Sequence, residues 1–374
     1  MKKKILWITA DYFVDCDLIP IRELSHEYDI EWVVIISGRK PRYNETELEE
    51  YRKTIPSLKT DYFHINYIRY DLRAYFTYKK IGKFCKDIPC DAVYLNVGIG
   101  FPWVIGLCKQ LPCEKMIITA HQGEIHDGMR PKWLFKYTRD KVYKNAVCVN
   151  MFSRFQSSKF RKTYPNSNIH VIPLALKNYG QPSVSSASSK DHIVVFLSFG
   201  VITYNKYIEL LIEAACNLYE KGVRGFKVKI YGSCHFWNSY KSKIRYNEIF
   251  ENSIRHIDNS EIPNLFAGAH YVVQPYRIVT QSGVTKIAYN YYTPIIVSRL
   301  DGFMDEFDES ISGFSFESEN VEDLERVMRY VIEHHEDYDT LVDKMHSFVD
   351  SVYSDEAIGK MYLKMFNEIT EKEK

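Results

Sequence analysis

Charge of one sign is what this chain most clearly lacks: 49 Lys and Arg stand against 48 Asp and Glu, a formal net of +1. With no positive excess, nothing in the balance draws it to nucleic acid. Long hydrophobic runs are missing too. Lys2, Lys3 and Lys4 precede Ile5-Leu6-Trp7-Ile8 in the manner of a secretory leader, but the run is short and Asp11 and Asp15 follow it. Residues 92–108 carry no charge, yet Asn96, Gly98, Gly100, Pro102 and Gly106 interrupt them. That suits a strand, a glycine loop and a helix better than a membrane span. The eight Cys show neither a CxxC pair nor a metal-ligand spacing, so they read as small buried residues in a reducing compartment. No internal repeat is present. These absences leave a cytoplasmic chain whose only open route to lipid is peripheral contact at the inner face of a membrane.

What is there is alternation. A chain of 374 residues exceeds one ordinary core and suits two domains of about 150–200 residues. Strand-length apolar runs fall at 5–9, 32–36, 64–68, 92–96, 116–120, 146–150 and 170–172, with helical stretches such as 18–28, 72–85 and 133–143 between them. A break follows at 177–190, where Gly180 and Pro182 precede the run Ser183-Val-Ser-Ser-Ala-Ser-Ser189. Strands resume at 193–197, 227–231, 270–273 and 295–298, and from residue 319 the pattern is helical. This order predicts an α/β protein of two doubly wound, Rossmann-like domains facing a cleft at the carboxyl ends of their strands. The expected boundaries are 1–176, a linker at 177–190, 191–352, and a last helix at 353–374 returning to the first domain.

Four segments carry chemistry. After the strand-like Tyr271-Val-Val-Gln-Pro-Tyr276-Arg277, the loop Thr280-Gln281-Ser282-Gly283-Val284 opens a helix. Free backbone N–H groups at the positive end of a helix dipole suit a phosphate, with Ser282 as a hydroxyl donor and Gly283 allowing close approach. The alternative is an ordinary N-cap. Second, Phe199-Gly200 leads to Lys206 before a leucine-rich helix, a glycine loop and point charge able to hold a diphosphate. A solvated lysine at a helix start is the plainer alternative. Third, His121-Gln122-Gly123-Glu124-Ile125-His126 ends a strand; its spacing is not that of a helical zinc site. Fourth, Asp301-Gly302-Phe303-Met304-Asp305-Glu306 is followed by Ser312-Gly313-Phe314, or is simply a solvated acidic loop. Two weaker signals are Asp15-Cys16-Asp17, which starts a helix, and the basic and aromatic residues from Tyr67 to Lys80. The latter suit anionic lipid headgroups or a helix with snorkelling lysines.

The strand–loop–helix–strand block around Ser282 resembles the donor-binding block of GT-B glycosyltransferases, specifically the retaining family 4. The resemblance runs from Ile193 to about Val327, with residues 168–174 and the His121 segment added from the first half. It implies a sugar transferred from a nucleotide diphosphate sugar to a glycan or lipid-linked acceptor, with retention, in cell-envelope polysaccharide synthesis, the first domain taking the acceptor. It implies no cofactor and no metal. His121 would contact the sugar or acceptor, with Glu124 and His126 beside it. Lys206 and Arg277 would hold the diphosphate with Gly200 and the loop Thr280, Gln281, Ser282, Gly283 and Val284. Asp305 falls on the family's acidic position, and Gly232, Ser233 and Ile257 on the side of the nucleobase and ribose. The chain also departs from the family. Tyr207 replaces a glycine after Lys206, Val201 stands where many members carry arginine, Gln122 and Ile125 replace Asp and Pro, and the family's glutamate pair falls at Thr280 and Ala288. Two rivals stand beside the transferase: a GT-B nucleotide-sugar epimerase using Glu124, His126 and Asp305, and a non-catalytic subunit that binds nucleotide sugar or glycan.

Overall fold

The computed structural model describes residues 2–38, 41–65, 71–100, 102–125 and 131–371. His126 and residues 67–70 of the basic-aromatic stretch lie outside them. The chain divides into two units, Met1–Ala175 with Asp355–Lys374, and Leu176–Ser354.

The first unit is built on seven parallel strands, β1 (Lys4–Ala10), β2 (Asp29–Ser37), β3 (Lys59–Ile65), β4 (Ala92–Asn96), β5 (Met116–Ala120), β6 (Cys148–Met151) and β7 (Ile169–Val171). Their order across the sheet is β3-β2-β1-β4-β5-β6-β7. Near-continuous burial of Trp32–Ile36 and Met116–Ala120 is what a parallel sheet covered on both faces demands. Alternate residues of β1 divide between two layers: Ile5 and Trp7 join Trp32 and Tyr94, while Leu6 and Ile8 join Leu95 and Ile118.

The Trp7 layer is closed by the chain's last helix, Asp355–Thr370. Ile358, Tyr362, Met365, Phe366 and Ile369 recur at helical spacing and are buried there. Each such side chain contributes roughly 1.5–3 kcal/mol by leaving water. Phe366 lies 5.9 Å from Trp7, and Tyr28 donates its hydroxyl to Asn367 at 2.6 Å. A methyl group on Gly359 would stand 2.6 Å from Glu23 Cβ, so the helix approaches Val14–Leu24 as only glycine allows.

The second unit has six parallel strands, β8 (Val194–Phe199), β9 (Phe226–Tyr231), β10 (Phe250–Ser253), β11 (Tyr271–Gln274), β12 (Ile295–Ser298) and β13 (Gly313–Phe316), ordered β10-β9-β8-β11-β12-β13. Both sheets therefore reverse direction beside their first strand, between β1 and β4 and between β8 and β11. In such sheets that reversal opens a crevice at the strand ends.

The structure refines several elements. The helix expected at 18–28 runs over Val14–Leu24, its positive end marked by Asp15 and Asp17. Gly313-Phe314, which follows the acidic segment, opens edge strand β13, whose Gly313 at φ 144° passes so close to Ile295 O that a Cβ would stand 1.8 Å away. Residues 177–190 form no helix or strand, but they are bonded to the second unit. Ser183 N donates to Asn264 at 2.7 Å, Ala187 N to Ala267 O at 2.8 Å, and Ser189 Oγ to Asp339 at 2.6 Å. The composition that suggests a spacer also supplies these donors.

Candidate functional site

In the second unit, the site forms where β8, β9 and β11 end. Gly200 leaves β8 at φ 102°, a conformation open to glycine. Its N–H donates to Tyr231 O at 2.9 Å, and Ile202 N donates to Ser233 O at 2.9 Å. A Cβ on Gly232 would stand 2.0 Å from Gly200 O. The two glycine loops thus cross backbone on backbone, and Ser233 holds the crossing through its carbonyl.

Lys206 ends the turn Tyr204–Lys206, and Tyr207 then takes φ 45°, ψ 43° before the helix Ile208–Glu220. A side chain in that left-handed conformation costs about 1–2 kcal/mol. Here Tyr207 is held by Arg277, whose guanidinium carbon lies 3.1 Å from its ring centroid and 4.3 Å from that of Tyr204. Arg277 also donates to Tyr204 O at 3.2 Å and faces Glu209 at 3.4 Å and Glu319 at 3.3 Å. Its charge is therefore engaged by two carboxylates, and it clamps the Lys206 turn in place.

Lys206 Nζ donates to the Tyr276 hydroxyl and lies 4.1 Å above the Tyr276 ring. Burial pulls its ammonium down to about 8. Nζ is 3.8 Å, and Val284 Cγ2 3.7 Å, from where a Cβ on Gly200 would stand. Gly200, Lys206, Tyr276 and Val284 thus converge at the sheet's reversal point.

The helix Gly283–Asn290 is capped by Ser282, whose oxygen accepts from Thr285 N at 3.3 Å. Its hydroxyl donates to Gln274 at 2.6 Å, so that donor is used inside the fold. Helix geometry leaves the N–H groups of Gly283 and Val284 without a partner in the helix. Lys177 Nζ lies 3.5 Å from where a Cβ on Gly283 would stand, a cation beside the loop that the sequence did not single out. Thr280 and Gln281 are half-buried before the cap. Asp305 is half-buried after the helix Asp301–Met304, while its neighbour Glu306 is sealed in a pair with Lys286 at 3.0 Å. Ile257 is a core residue, packed with Leu197, Val284 and Tyr276.

The first unit has its own concavity at the β1–β4 reversal. A pocket of about 210 Å³ is lined by Tyr12 and Phe13 after β1, Gly98 and Gly100 after β4, and His121 after β5, with Arg139 below. His121 stacks on Phe13 at 3.7 Å and 9°, and its Nε2 lies 2.8 Å from Asn96 Oδ1. Burial pulls the imidazole down to about 3, so it is neutral at physiological pH. Arg139 donates to the carbonyls of Gln122 and Gly123, both at 3.0 Å, and so fixes the segment after His121. Glu124 is paired with Lys159 at 3.5 Å and does not line the pocket. Asp17 is fully buried and bonded to Asn96 at 2.9 Å. The sequence marks Asp17 only as a helix-start acid in Asp15-Cys16-Asp17 and gives no sign of its bond to Asn96, because the two partners are distant in the chain.

Residues 184–346 match the model of the family described as glycosyl transferases group 1. No curated protein sequence matches the chain. Among solved structures it is similar to a sucrose-phosphate synthase from Thermosynechococcus elongatus, at TM-score 0.70 and 13% identity over 99% of this chain and 100% of that one. It is similar to Anabaena Alr3699/HepE in complex with UDP, at TM-score 0.74 and 13% identity over 98% of this chain and 100% of that one. A glycosyltransferase from Rickettsia africae ESF-5 has TM-score 0.73 and 16% identity over 98% of each chain. The two reversed parallel sheets give the chain the GT-B fold of these structures, and the second unit carries the match to glycosyl transferases group 1.

Proposed function

We propose that the protein transfers a sugar from a nucleotide diphosphate sugar to a glycan or lipid-linked acceptor, with retention of anomeric configuration and without a metal ion. The observation that carries the reading is the convergence of Gly200, Lys206 and Val284 at the end of β8. Lys206, the Gly283 and Val284 amides and Lys177 are the groups able to face a diphosphate. They would stabilise the charge that grows on the leaving phosphate as the glycosidic bond breaks. Arg277 acts through the turn it clamps. His121 would contact a sugar or acceptor hydroxyl from the first unit's pocket. The Anabaena relative holds UDP, which makes UDP the first nucleotide to try.

The acceptor side of the proposal includes cell-envelope polysaccharide synthesis at the inner face of a membrane. Among the described residues no helix is long and apolar enough to cross one. The helix Arg73–Lys86 leaves Phe76 at 68% exposure among Lys79, Lys80, Lys83 and Lys86, and Trp133 is 70% exposed beside Lys132. Aromatic and basic residues together suit an anionic bilayer surface.

Calorimetry with UDP, GDP, ADP and TDP tests the donor site, and NMR of the product's anomeric proton tests retention. Binding of none of the four would end the reading. Activity lost to EDTA and restored by Mn²⁺ would end its metal-free part. A second reading, a non-catalytic subunit that binds nucleotide sugar, is favoured by the carboxylates that already engage Arg277. It predicts nucleotide binding with no turnover on any acceptor.

A further inference from the structure

The pocket of the first unit is backed by a buried polar chain that the transfer reaction does not itself require. It begins at Trp32, whose Nε1 donates to Thr9 Oγ1 at 3.0 Å. Thr9 donates to Asp17 Oδ2 at 2.7 Å, and Asn96 Nδ2 donates to Asp17 Oδ1 at 2.9 Å. Asn96 Oδ1 then lies 2.8 Å from His121 Nε2. Thr9, Asp17 and Asn96 are each 0% exposed. Among the described residues no cation pairs with Asp17; its hydrogen-bonding partners are neutral. A carboxyl buried without a counter-charge is costly, so its role in the fold asks for an account.

The chain has a direction. Asp17 Oδ1 accepts, so the amide of Asn96 must turn its NH₂ inward. That leaves the Asn96 carbonyl oxygen toward His121. A carbonyl oxygen has no proton to give, so Nε2 must be the donor. The ring cannot exchange its nitrogens by turning over, because it is stacked on Phe13 at 3.7 Å and bounded by Phe152 at 4.9 Å. Nδ1 is left with a lone pair. Among the described residues it has no hydrogen-bond partner, and the His121 side chain is half-buried. His121 lines the pocket.

We propose that Asp17 and Asn96 are positioning residues that hold His121 as the Nε2–H tautomer, so that its Nδ1 receives a hydroxyl hydrogen from the ligand in this pocket. The proposal rests on the reading of that pocket as a sugar or acceptor site. It narrows the ligand class at Nδ1 to a neutral hydroxyl-bearing ring. A phosphate or carboxylate oxygen would meet a lone pair there. No proton is transferred in the contact, which is a hydrogen bond only. Burial keeps His121 neutral at physiological pH. Burial also pushes Asp17 up to about 7. If its proton sits on Oδ2, the Thr9 contact reverses and Thr9 Oγ1 accepts, while Oδ1 still accepts from Asn96, so the Asn96–His121 part of the chain keeps its direction.

The test uses the full chain labelled with ¹⁵N-histidine, and long-range ¹H–¹⁵N correlation NMR without any substrate. The His121 signal is the one missing in His121→Gln. The expected wild-type pattern is protonated Nε2 and bare Nδ1. In Asp17→Asn the new amide can donate to Asn96, which frees Asn96 to turn. The signal should move to Nδ1–H or to a mixture, and turnover should fall about tenfold, with nucleotide affinity unchanged. A wild-type signal with Nδ1 protonated overturns the proposal. So does an unchanged signal in folded Asp17→Asn. If that variant does not fold, Asn96→Leu takes its place: a tautomer mixture supports the lock and a pure Nε2–H pattern overturns it. The tautomer is read with no donor or acceptor present. Absence of any transferase activity would therefore count against the proposed function and not against this lock.

Discussion

The two units solve one problem with opposite materials. Each sheet reverses beside its first strand, and each has its candidate site there. In the second unit the crevice is made by glycines: Gly200 and Gly232 bring two backbones together, and Lys206 supplies one cation. In the first unit the crevice is made by rings and a polar chain: Phe13, Phe135 and His121 in front, Asn96 and Asp17 behind. Bare backbone and a cation suit an anion; aromatic faces and a neutral acceptor suit a sugar ring or its hydroxyls. The difference teaches that strand order gives the place and the loops give the chemistry.

Substitution at Gly232 should break the comparison most severely. In Gly232→Val, a Cβ 2.0 Å from Gly200 O forces the loops apart. We expect loss of nucleotide binding and destabilisation of the second unit by roughly 4 kcal/mol or more. Limited proteolysis should find the first unit, Met1–Ala175 with Asp355–Lys374, still resistant, and calorimetry should find no nucleotide heat. Wild-type affinity in this variant would show that the crossing does not shape the site.

His121→Ala sharpens the other side. Turnover should fall on the order of 100-fold, while nucleotide affinity stays close to wild type. Steady-state rates beside UDP titrations would separate the two. A variant with near-normal turnover would return His121 to a packing role on Phe13.

Lys206→Ala should weaken a nucleoside diphosphate about tenfold or more, and the bare nucleoside hardly at all. The wild-type protein should show a matching pH response. With the ammonium at about 8, the charged form is lost as pH rises through that value, so diphosphate affinity should decline above it. A pH-independent affinity from neutrality to pH 9 would argue that Lys206 does not face the phosphates.

The smallest effect is a slope. Asp17 is pushed up to about 7 and His121 down to about 3. Native Asp17 holds a proton that the unfolded chain has released, so its stabilisation is full in acid and is lost as pH rises toward 7. Native His121 refuses a proton that the unfolded chain accepts, so stability is lost as pH falls below the ordinary histidine value. Between about pH 4 and 6.5 the two oppose each other, each at about 1.4 kcal/mol per pH unit. Asp17→Asn removes one of them. Its stability should therefore drop on acidification faster than that of wild type, as denaturant titrations across this range would report. Parallel slopes would contradict the opposition.

Much of this was legible from the sequence because it depends on neighbours in the chain. Glycine at a strand end, Lys206 before a leucine-rich helix, and the helical pattern of the last segment at 353–374 are local signals. The rest depends on partners brought in from afar. Arg277 looks like a free cation until Glu209 and Glu319 arrive from other elements. Ser282 looks like a phosphate donor until β11 sets Gln274 beside it. Asp17 looks like a helix-start acid, as part of Asp15-Cys16-Asp17, until β4 brings Asn96. Side-chain hydrogen bonds leave no period in a sequence, and so these engagements could not be read.

The helix Asp355–Thr370 has a consequence for biosynthesis. It completes the unit that begins with β1, yet the whole second unit, Leu176–Ser354, is made between them. At bacterial or eukaryotic rates of translation that interval lasts on the order of ten to forty seconds. During it the nascent chain displays Ile5, Trp7 and Tyr94 on a sheet face that the last helix has yet to close, with the second unit free to fold first. The ribosome therefore releases a protein whose oldest part matures last, and chaperone demand should concentrate on that waiting aromatic face.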